Sequence, residues 1–368
     1  MIVRTDPIVP AGIRCEREAG FYGLSPPKKA GIEAASANLE LAMTRVGIIG
    51  LGTMGTQHMD AYRQMPDVEV AAVYDHRPER AQAFAQQYGV RVAESLDDLF
   101  SRCEVIDICT PTHRHAEYAL PAIAAGKAVV CEKPLARTLV DSERIVNAVK
   151  QHNTLFMPAH VLRFFPEYRT AHRLVRSGAL GTIAAVRMRR GGDFPHAKSD
   201  WYADFSKSGG VILDLIIHDL DWLLWTLGAV ERVYAKALTF RNLPHLDYTL
   251  VTLKFKNGAV GHVEGVWCDP GGFKVNFEIC GDSGMLEYDS TRQVALQIAT
   301  RATEGAGGGV QVPESPAVHN PYYLELRHFI DCVRAGQTPE ITVEDGYNAV
   351  RLALAAIESA QTGRVIAL

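Results

Sequence analysis

The sequence lacks the features of secreted, zinc-binding and membrane-spanning proteins. Its seven cysteines form no CxxC pair and no cysteine–histidine spacing that would hold zinc, so neither a disulfide framework nor a metal site is expected. Its longest uncharged apolar runs fall well short of a membrane span. A reducing cytoplasm is therefore the expected location.

An excess of charge of either sign is also lacking. The formal net charge is −4, which gives no electrostatic reason to expect binding to nucleic acid or to an anionic membrane. Apolar residues make up 47% of the chain and charged residues 22%, which is typical of a globular protein. With 368 residues, the chain is expected to form two domains rather than one.

The segment 1–42 lacks the basic start, apolar centre and small-residue cleavage site of a secretory signal. It is rich in Ala, Gly and Pro and shows no sustained helix or strand period. A strand pattern begins directly after Met43. We therefore expect residues 1–42 to form a disordered or loosely attached extension, and Met43 to begin the functional protein.

A glycine-rich turn follows the first strand pattern. The apolar run RVGIIG (45–50) leads into GLGTMG (50–55), which fits G-x-G-x-x-G and opens a helical pattern. Such glycines allow a tight turn, close approach of a pyrophosphate to the backbone, and close packing of helix on sheet. The pattern predicts a Rossmann dinucleotide-binding domain. Its expected phosphate-binding residues are Gly50, Gly52, Thr53, Met54 and Gly55.

The second strand pattern, VEVAAVYD (68–75), ends in an acid. Asp75 lies 20 residues beyond Gly55, where a carboxylate accepts hydrogen bonds from the adenosine ribose and repels a 2′-phosphate. NAD is therefore the expected cofactor. Arg77 can hold a 2′-phosphate or stack on adenine, so NADP stays open as the alternative.

Polar residues follow two further strand patterns, VIDICTP (105–111) and AVVCEKP (128–134). In a doubly wound sheet, ligands bind beyond the carboxyl ends of the strands. Because Pro134 ends the second pattern abruptly, Lys133 is expected to point into the cleft near the nicotinamide; a surface lysine is the alternative interpretation. The residues expected to contact the cofactor here are Thr110, Pro111, His115, Glu132 and Lys133.

The second half of the chain consists mainly of strand patterns joined by short turns, which predicts a largely antiparallel sheet. One apolar helix, 210–227, is expected to lie against this sheet, and helices 321–335 and 343–362 are expected to close the chain. The Gly- and Pro-rich segment 302–320 is expected to be a mobile loop. The expected strands are 183–190, 233–241, 247–256, 259–268, 273–280 and 293–299.

The apolar helix pattern 210–227 contains three aspartates and a histidine. On one continuous helix, Asp214 and His218 lie one turn apart and can hydrogen-bond. The carboxylate would fix the imidazole tautomer and raise its proton affinity, which suits proton exchange with an alcohol or carbonyl. A structural Asp–His pair at the domain interface is the alternative. Asp219 has no explanation from the sequence, and a metal site would lack a third ligand in register.

In chain order, these motifs resemble the glucose–fructose oxidoreductase/inositol dehydrogenase/rhizopine-catabolism (Gfo/Idh/MocA) family. The resemblance covers roughly Thr44 to Leu368. It implies an α/β fold with an N-terminal Rossmann domain and a C-terminal α/β domain built on a large, open, mostly antiparallel sheet. Such sheets often pair subunits, so a homodimer or homotetramer is expected. The motifs are GLGTMG (50–55), CTPTHRH (109–115), AGKAVVCEKPLA (125–136), RFFPEY (163–168), GGVILDLIIHDLD (209–221) and LRHFIDCVRAGQTPEITVEDG (326–346).

The resemblance also implies where the chemistry lies, on Lys133, Asp214 and His218 beside the nicotinamide ring. Lys133 would donate a hydrogen bond to the reacting oxygen, His218 would carry the proton, and Asp214 would orient His218. The expected reaction is reversible oxidation of a secondary alcohol on a sugar, inositol or related polyol, with hydride passing to NAD. The expected substrate contacts are His160, Arg163, Asp193, Trp201, Tyr202 and Tyr323.

Two alternative functions stay open on the same scaffold. One is NAD-dependent glycoside cleavage, in which the cofactor is reduced and regenerated on the enzyme. The other is a non-catalytic NAD-binding sensor of redox state. In each case the expected organisation is a Rossmann domain over residues 43–160 and a domain for substrate binding and oligomerisation over residues 161–368.

Overall fold

The structure is a computed structural model that describes residues 43–197, 200–238, 246–291 and 320–368. The expected extension 1–42, the strand 293–299 and nearly all of the loop 302–320 lie outside the described residues. None of the described helices combines the length and the apolar character needed to cross a membrane.

The first sheet has five parallel strands in the order β2-β1-β3-β4-β5. Its inner strands are short apolar runs buried along most of their length, as expected where helices cover both faces. The predicted Rossmann sheet is confirmed. The strands are β1 (Thr44–Ile49), β2 (Val68–Tyr74), β3 (Val105–Ile108), β4 (Ala128–Glu132) and β5 (Phe156–Ala159).

Five helices connect the strands of the first sheet. Two of them were not predicted from the sequence, although each begins at a residue whose side chain caps the helix: Ser95 Oγ accepts the Asp98 N–H and Thr138 Oγ1 accepts the Asp141 N–H. The helices are α1 (Thr53–Tyr62), α2 (Pro78–Tyr88), α3 (Leu96–Arg102), α4 (His115–Ala124) and α5 (Leu139–His152).

The second sheet has seven strands in the order β11-β10-β6-β9-β8-β7-β12. All neighbours are antiparallel except β6 and β9, so the predicted, largely antiparallel sheet is confirmed. The two strands that come last in the chain, β11 and β12, were not predicted from the sequence. The strands are β6 (Ile183–Gly191), β7 (Val230–Ala237), β8 (Asp247–Phe255), β9 (Val260–Trp267), β10 (Lys274–Gly281), β11 (Met285–Asp289) and β12 (Ile366–Ala367).

Among the described residues, six further helices follow the last strand of the first sheet. Of these, α10 packs against α1 with Leu326, Phe329 and Ile330 in the core beneath the first sheet, and α11 packs against α5 and α9. Both match their predicted bounds. The helices are α6 (Pro166–Arg176), α7 (Phe205–Ser208), α8 (Gly210–Asp214), α9 (Ile217–Leu227), α10 (Pro321–Ala335) and α11 (Val343–Thr362).

The prediction of one continuous helix over 210–227 is wrong. The chain breaks between α8 and α9, where the Ile216 N–H donates to the Val211 carbonyl five residues earlier. The break lies against β9 at Gly265, where a Cβ would come within 2.7 Å of Ile216 Cγ2 and 3.1 Å of Val211 Cγ2. This close packing brings the two short helices onto the sheet.

Two buried ion pairs account for the other aspartates of this apolar segment. Arg163 forms two hydrogen bonds to Asp221, of 2.8 and 2.6 Å, and Arg190 forms two to Asp219, of 2.6 and 3.0 Å. All four side chains are almost fully buried. Burying a carboxylate is tolerated only where a partner compensates its charge, so each aspartate needs its arginine.

We predict that Arg163→Met lowers the free energy of unfolding by about 3–5 kcal/mol, because it leaves the Asp221 carboxylate buried without its partner. Urea denaturation measures the change. The matched control is Arg144→Met, which removes an exposed pair with Asp141 and is expected to cost at most about 1 kcal/mol. Equal effects of the two substitutions would contradict the prediction.

Candidate active site

A cleft of about 810 Å³ lies between the carboxyl ends of the parallel strands and the second sheet. Its size suits a cofactor-sized ligand. Fifteen of the predicted site residues line it: Gly50, Gly52, Thr53, Met54, Asp75, Arg77, Thr110, Pro111, Glu132, Lys133, Asp193, Trp201, Tyr202, Asp214 and His218.

The glycine turn has the shape needed to receive a dinucleotide. A Cβ on Gly50 would lie 2.7 Å from the backbone of Cys109, and a Cβ on Gly55 would lie 2.2 Å from the Gly50 carbonyl oxygen. A Cβ on Gly52 would instead meet only the Arg80 side chain, at 3.7 Å. Two glycines therefore serve close backbone packing, and the middle one leaves the loop open to a pyrophosphate at the start of α1.

Asp75 directly follows β2 and lines the cleft together with the glycine turn. Its carboxylate is almost buried and accepts hydrogen bonds from the Leu51 N–H (3.1 Å) and the Arg77 N–H (2.9 Å). The acid is thereby fixed next to the glycine turn, where a ribose would bind. The side chains of Arg77 and Arg80 line the same end of the cleft, so positive charge is also present there.

Lys133 reaches across the cleft from the end of β4 to α8. Its Nζ donates to the carbonyl oxygen of Asp214 (2.8 Å) and lies 3.5 Å from Asp214 Oδ1. Burial raises the pKa of Asp214, although the nearby ammonium opposes this shift. The helix break after Asp214 places both its carbonyl and its carboxylate within reach of the lysine.

His218 lies in the first turn of α9 and lines the cleft. The expected hydrogen bond between Asp214 and His218 is not among those of the described residues, and the break between α8 and α9 lies between the two residues. Nδ1 of His218 is buried without a hydrogen-bond partner in the described part of the chain. Burial, together with the charges of Lys133 and Arg190, lowers the pKa of His218 well below 6.5. The expected increase in proton affinity is wrong, and the ring is neutral at pH 7.

Aromatic side chains line the end of the cleft beyond Lys133. The rings of Trp201 and Tyr202 lie 4.0 Å apart, and Tyr202 packs edge-on against Trp267 at 6.1 Å. Asp193 is exposed at the same end. Such a surface can pack on the apolar face of a sugar ring while polar groups bind its hydroxyls.

Five predicted residues do not line the cleft: Gly55, His115, His160, Arg163 and Tyr323. The buried ring of His115 contacts the carbonyls of Pro134 (2.7 Å) and Thr110 (2.9 Å), so it joins two loops of the site from behind. His160 is fully buried, with Nδ1 3.9 Å from Asp221 Oδ2. Arg163 forms its buried ion pair with Asp221, and Gly55 packs closely against the backbone of Gly50.

Tyr322 lies in the cleft, and Tyr323 packs against the apolar core beneath the first sheet. The prediction chose the wrong member of the pair because the helical phase of α10 decides which tyrosine faces the cleft. Sequence reasoning also missed Arg190, at the carboxyl end of β6, and Arg80. The cap at Asn320, which fixes the start of α10, is a signal that could have placed Tyr322.

Comparisons with known proteins agree with this geometry. Residues 44–160 match the family model GFO_IDH_MocA, described as "Oxidoreductase family, NAD-binding Rossmann fold", and residues 168–287 match the GFO/IDH/MocA C-terminal domain. A similar protein is the myo-inositol 2-dehydrogenase of Thermotoga maritima, which is 27% identical over 336 residues and is matched over 88% of this chain and 98% of its own.

Two solved structures are similar over nearly their whole length. The crystal structure of GenD2 from gentamicin A biosynthesis, in complex with NAD, has a TM-score of 0.80 at 26% identity, covering 89% of this chain and 96% of that one. Levoglucosan dehydrogenase in complex with NADH and levoglucosan has a TM-score of 0.76 at 27% identity, covering 88% and 99%. The resemblance seen in the motifs is confirmed: the chain belongs to the Gfo/Idh/MocA family of NAD-binding oxidoreductases.

Proposed function

We propose that this protein transfers a hydride reversibly between a nicotinamide cofactor and a secondary alcohol or ketone of a sugar, inositol or related polyol. One observation carries the proposal. Lys133 from the Rossmann sheet meets Asp214 at 2.8 Å and lines one cleft with His218. The glycine turn and Asp75 line the other end of that cleft. This arrangement of lining residues suits a cofactor at the glycine turn and a substrate beside Lys133 and His218.

His218 is the base in this proposal. Its ring is neutral at pH 7 because burial lowers the pKa, so Nδ1 or Nε2 can accept the hydroxyl proton as the alcohol is oxidised. In the reverse direction the protonated ring returns the proton to the forming alcohol. Because Nδ1 has no hydrogen-bond partner among the described residues, the ring has capacity for a hydrogen bond to substrate.

Lys133 is the hydrogen-bond donor to the reacting oxygen. An ammonium placed there stabilises the negative charge that develops as the proton leaves. Asp214 holds the lysine in position through its carbonyl and its carboxylate. This differs from the role expected from the sequence, in which Asp214 would orient His218.

NAD, when bound, accepts the hydride from the alcohol carbon or returns it. Gly50, Gly52 and Asp75 would hold its phosphates and ribose, and an acidic residue at this position favours NAD over NADP. The aromatic end formed by Trp201 and Tyr202 would receive the sugar ring. The proposal agrees with the names of the similar proteins, which act on inositol and levoglucosan.

The proposal includes the organisation and the assembly of the protein. Residues 43–160 would bind the cofactor and residues 161–368 the substrate. A homodimer or homotetramer remains the proposed assembly. The cytoplasm remains the proposed location.

The test is a screen of polyols and aldoses with NAD and NADP in parallel, followed by absorbance of the reduced cofactor. We expect substrate-dependent formation of NADH, with a higher kcat/KM for NAD than for NADP. Release of free sugar from a glycoside without net NADH would favour the hydrolase instead. Binding of NAD without turnover of any substrate would favour the sensor.

A further inference from the structure

Behind the glycine turn lies a buried group of ionisable side chains that the proposed reaction does not use. The His58 cluster consists of His58 on α1, Asp107 on β3, Cys109 just after β3, and Glu132 at the end of β4. His58 and Asp107 have no exposed surface, and Glu132 and Cys109 have 5% and 8%. Charges buried this deeply require partners.

The imidazole of His58 lies between two carboxylates. Its Nδ1 is 2.8 Å from Asp107 Oδ2, and its Nε2 is 3.2 Å from Glu132 Oε1, an ion-pair contact that is not aligned as a hydrogen bond. Burial alone would lower the pKa of His58, but the Asp107 carboxylate outweighs it and holds the pKa well above 6.5. The ring is therefore an imidazolium at neutral pH.

The arrangement fits an ion-pair network better than a metal site. His58, Asp107 and Cys109 are of the types that bind metals and lie close together. However, the Cys109 thiol lies at 3.3 Å from both His58 Nδ1 and Asp107 Oδ1, so the three groups already partner one another. Burial also raises the pKa of Cys109, which disfavours the thiolate that a metal would need.

Glu132 connects the cluster to the cleft. One carboxylate oxygen faces His58, and the other accepts the backbone N–H of Lys133 (3.1 Å). Burial raises the pKa of Glu132, but the close contact with His58 and the charges of His58 and Lys133 outweigh it, so its pKa lies below the ordinary value. The ionised carboxylate thus joins α1, which opens at the glycine turn, to the peptide that carries the lysine.

We propose that His58 is a positioning residue for Lys133: its ring holds the Glu132 carboxylate in place, and Glu132 in turn fixes the backbone from which Lys133 reaches the substrate. The proposal rests on the proposed function of Lys133. It also means that the helix carrying the cofactor turn and the strand carrying the lysine are held in register by one buried cation.

The other groups that face His58 do not supply this cation. Tyr62 lies on the same helix, and Tyr322 and Glu325 face it from α10. Burial raises the pKa of Glu325 well above its ordinary value, and neither of its carboxylate oxygens has a hydrogen-bond partner in the described part of the chain. Glu325 is therefore neutral. Because neither a tyrosine nor a glutamate can carry a positive charge, His58 is the cation that contacts Glu132 from α1.

Two neutral substitutions separate the contacts of His58. In His58→Asn the amide nitrogen takes the place of Nδ1 and retains the contact to Asp107 only. In His58→Gln it takes the place of Nε2 and retains a donor to Glu132. In His58→Asn we expect kcat to fall about a hundredfold, the usual effect of displacing a catalytic group, here Lys133, by about 1 Å. In His58→Gln we expect kcat to fall by no more than about fivefold. The dissociation constant of NADH, measured by fluorescence, is expected to change little in either variant.

The pH profile distinguishes positioning from a loss of stability alone. Without a donor at Nε2, Glu132 is buried beside Asp107 with less compensation, so its pKa rises and it becomes protonated at higher pH. Because both variants lose the positive charge of His58, we expect the acid limb of the kcat profile to move to higher pH in both, and further in His58→Asn than in His58→Gln. A structural role alone would lower kcat in both variants without moving the limb.

The wild-type protein provides a test that does not depend on the variants. Proton–nitrogen correlation of the histidine rings in the apo protein, with His58 assigned by its loss in His58→Gln, is expected to show an imidazolium from pH 6 to about pH 8. A neutral ring at pH 7, or wild-type kcat in His58→Asn, would overturn the inference. If Lys133→Met were also active, the proposed function itself would fail, so the two failures are distinguishable.

Discussion

Lys133→Met is expected to lower kcat about a thousandfold while NAD still binds. Methionine retains most of the length and volume of the side chain but has no donor for the reacting oxygen. The substitution also removes the contacts from Nζ to the Asp214 carbonyl and carboxylate. Steady-state kinetics measures the loss of turnover, and NADH fluorescence measures the retained affinity.

The matched control for this variant is Lys127→Met. Lys127 precedes β4, at the opposite end of the same strand from Lys133, so its loss removes an equal charge without touching the cleft. We expect near wild-type kcat in the control. Turnover near wild type in Lys133→Met would defeat the proposed mechanism, and loss of NADH binding would indicate a role in holding the cofactor instead.

His218→Asn is expected to lower kcat for alcohol oxidation by about a hundredfold to ten-thousandfold, the usual contribution of a general base. Asparagine can hydrogen-bond to the substrate but cannot accept its proton. The matched control is His152→Asn, which changes an exposed histidine at the end of α5 and is expected to have no effect on kcat.

The pH dependence follows from the lowered pKa of His218. The ring must be neutral to accept a proton, so oxidation by the wild-type enzyme is lost only as pH falls through this pKa, well below 6.5. We therefore expect a flat kcat/KM profile between pH 6.5 and about pH 8, and an acid limb that is absent in His218→Asn. A wild-type acid limb above 6.5 would show that another group, or a different protonation of His218, controls the rate.

The parts of the fold that local signals determine were predicted well. The helices α10 and α11 match their predicted bounds because each begins at a side-chain cap, Asn320 and Thr342, and ends at a glycine with positive φ. The glycine turn and the acid after β2 could also be predicted, because the strand, the turn and the helix follow one another within about 30 residues.

The parts that long-range contacts determine could not be predicted. The break between α8 and α9 depends on packing at Gly265, and nothing in a helical pattern reveals a neighbour on another strand. The same is true of Asp219 and Asp221, whose arginines lie 29 and 58 residues away. The spacing of apolar residues along the sequence indicates which residues are buried, but it does not indicate which charged residues pair with one another.

The role of Asp214 shows how such a break changes chemistry. On a continuous helix the Asp214 carbonyl would accept a hydrogen bond within the helix, and its carboxylate would hydrogen-bond to His218. With the helix broken, both groups face Lys133, and His218 remains neutral. The candidate residues were predicted from the sequence, but their contacts with one another could be read only from the structure.

The measurement that tests the central claim most directly is the single-turnover rate of NADH formation by the double variant Lys133→Met/His218→Asn. If both side chains act on one hydroxyl, the effects of the two substitutions are not independent, and the double variant should react within about tenfold of the slower single variant. If the two losses multiply instead, the lysine and the histidine act separately, and the account of a shared reacting oxygen is contradicted.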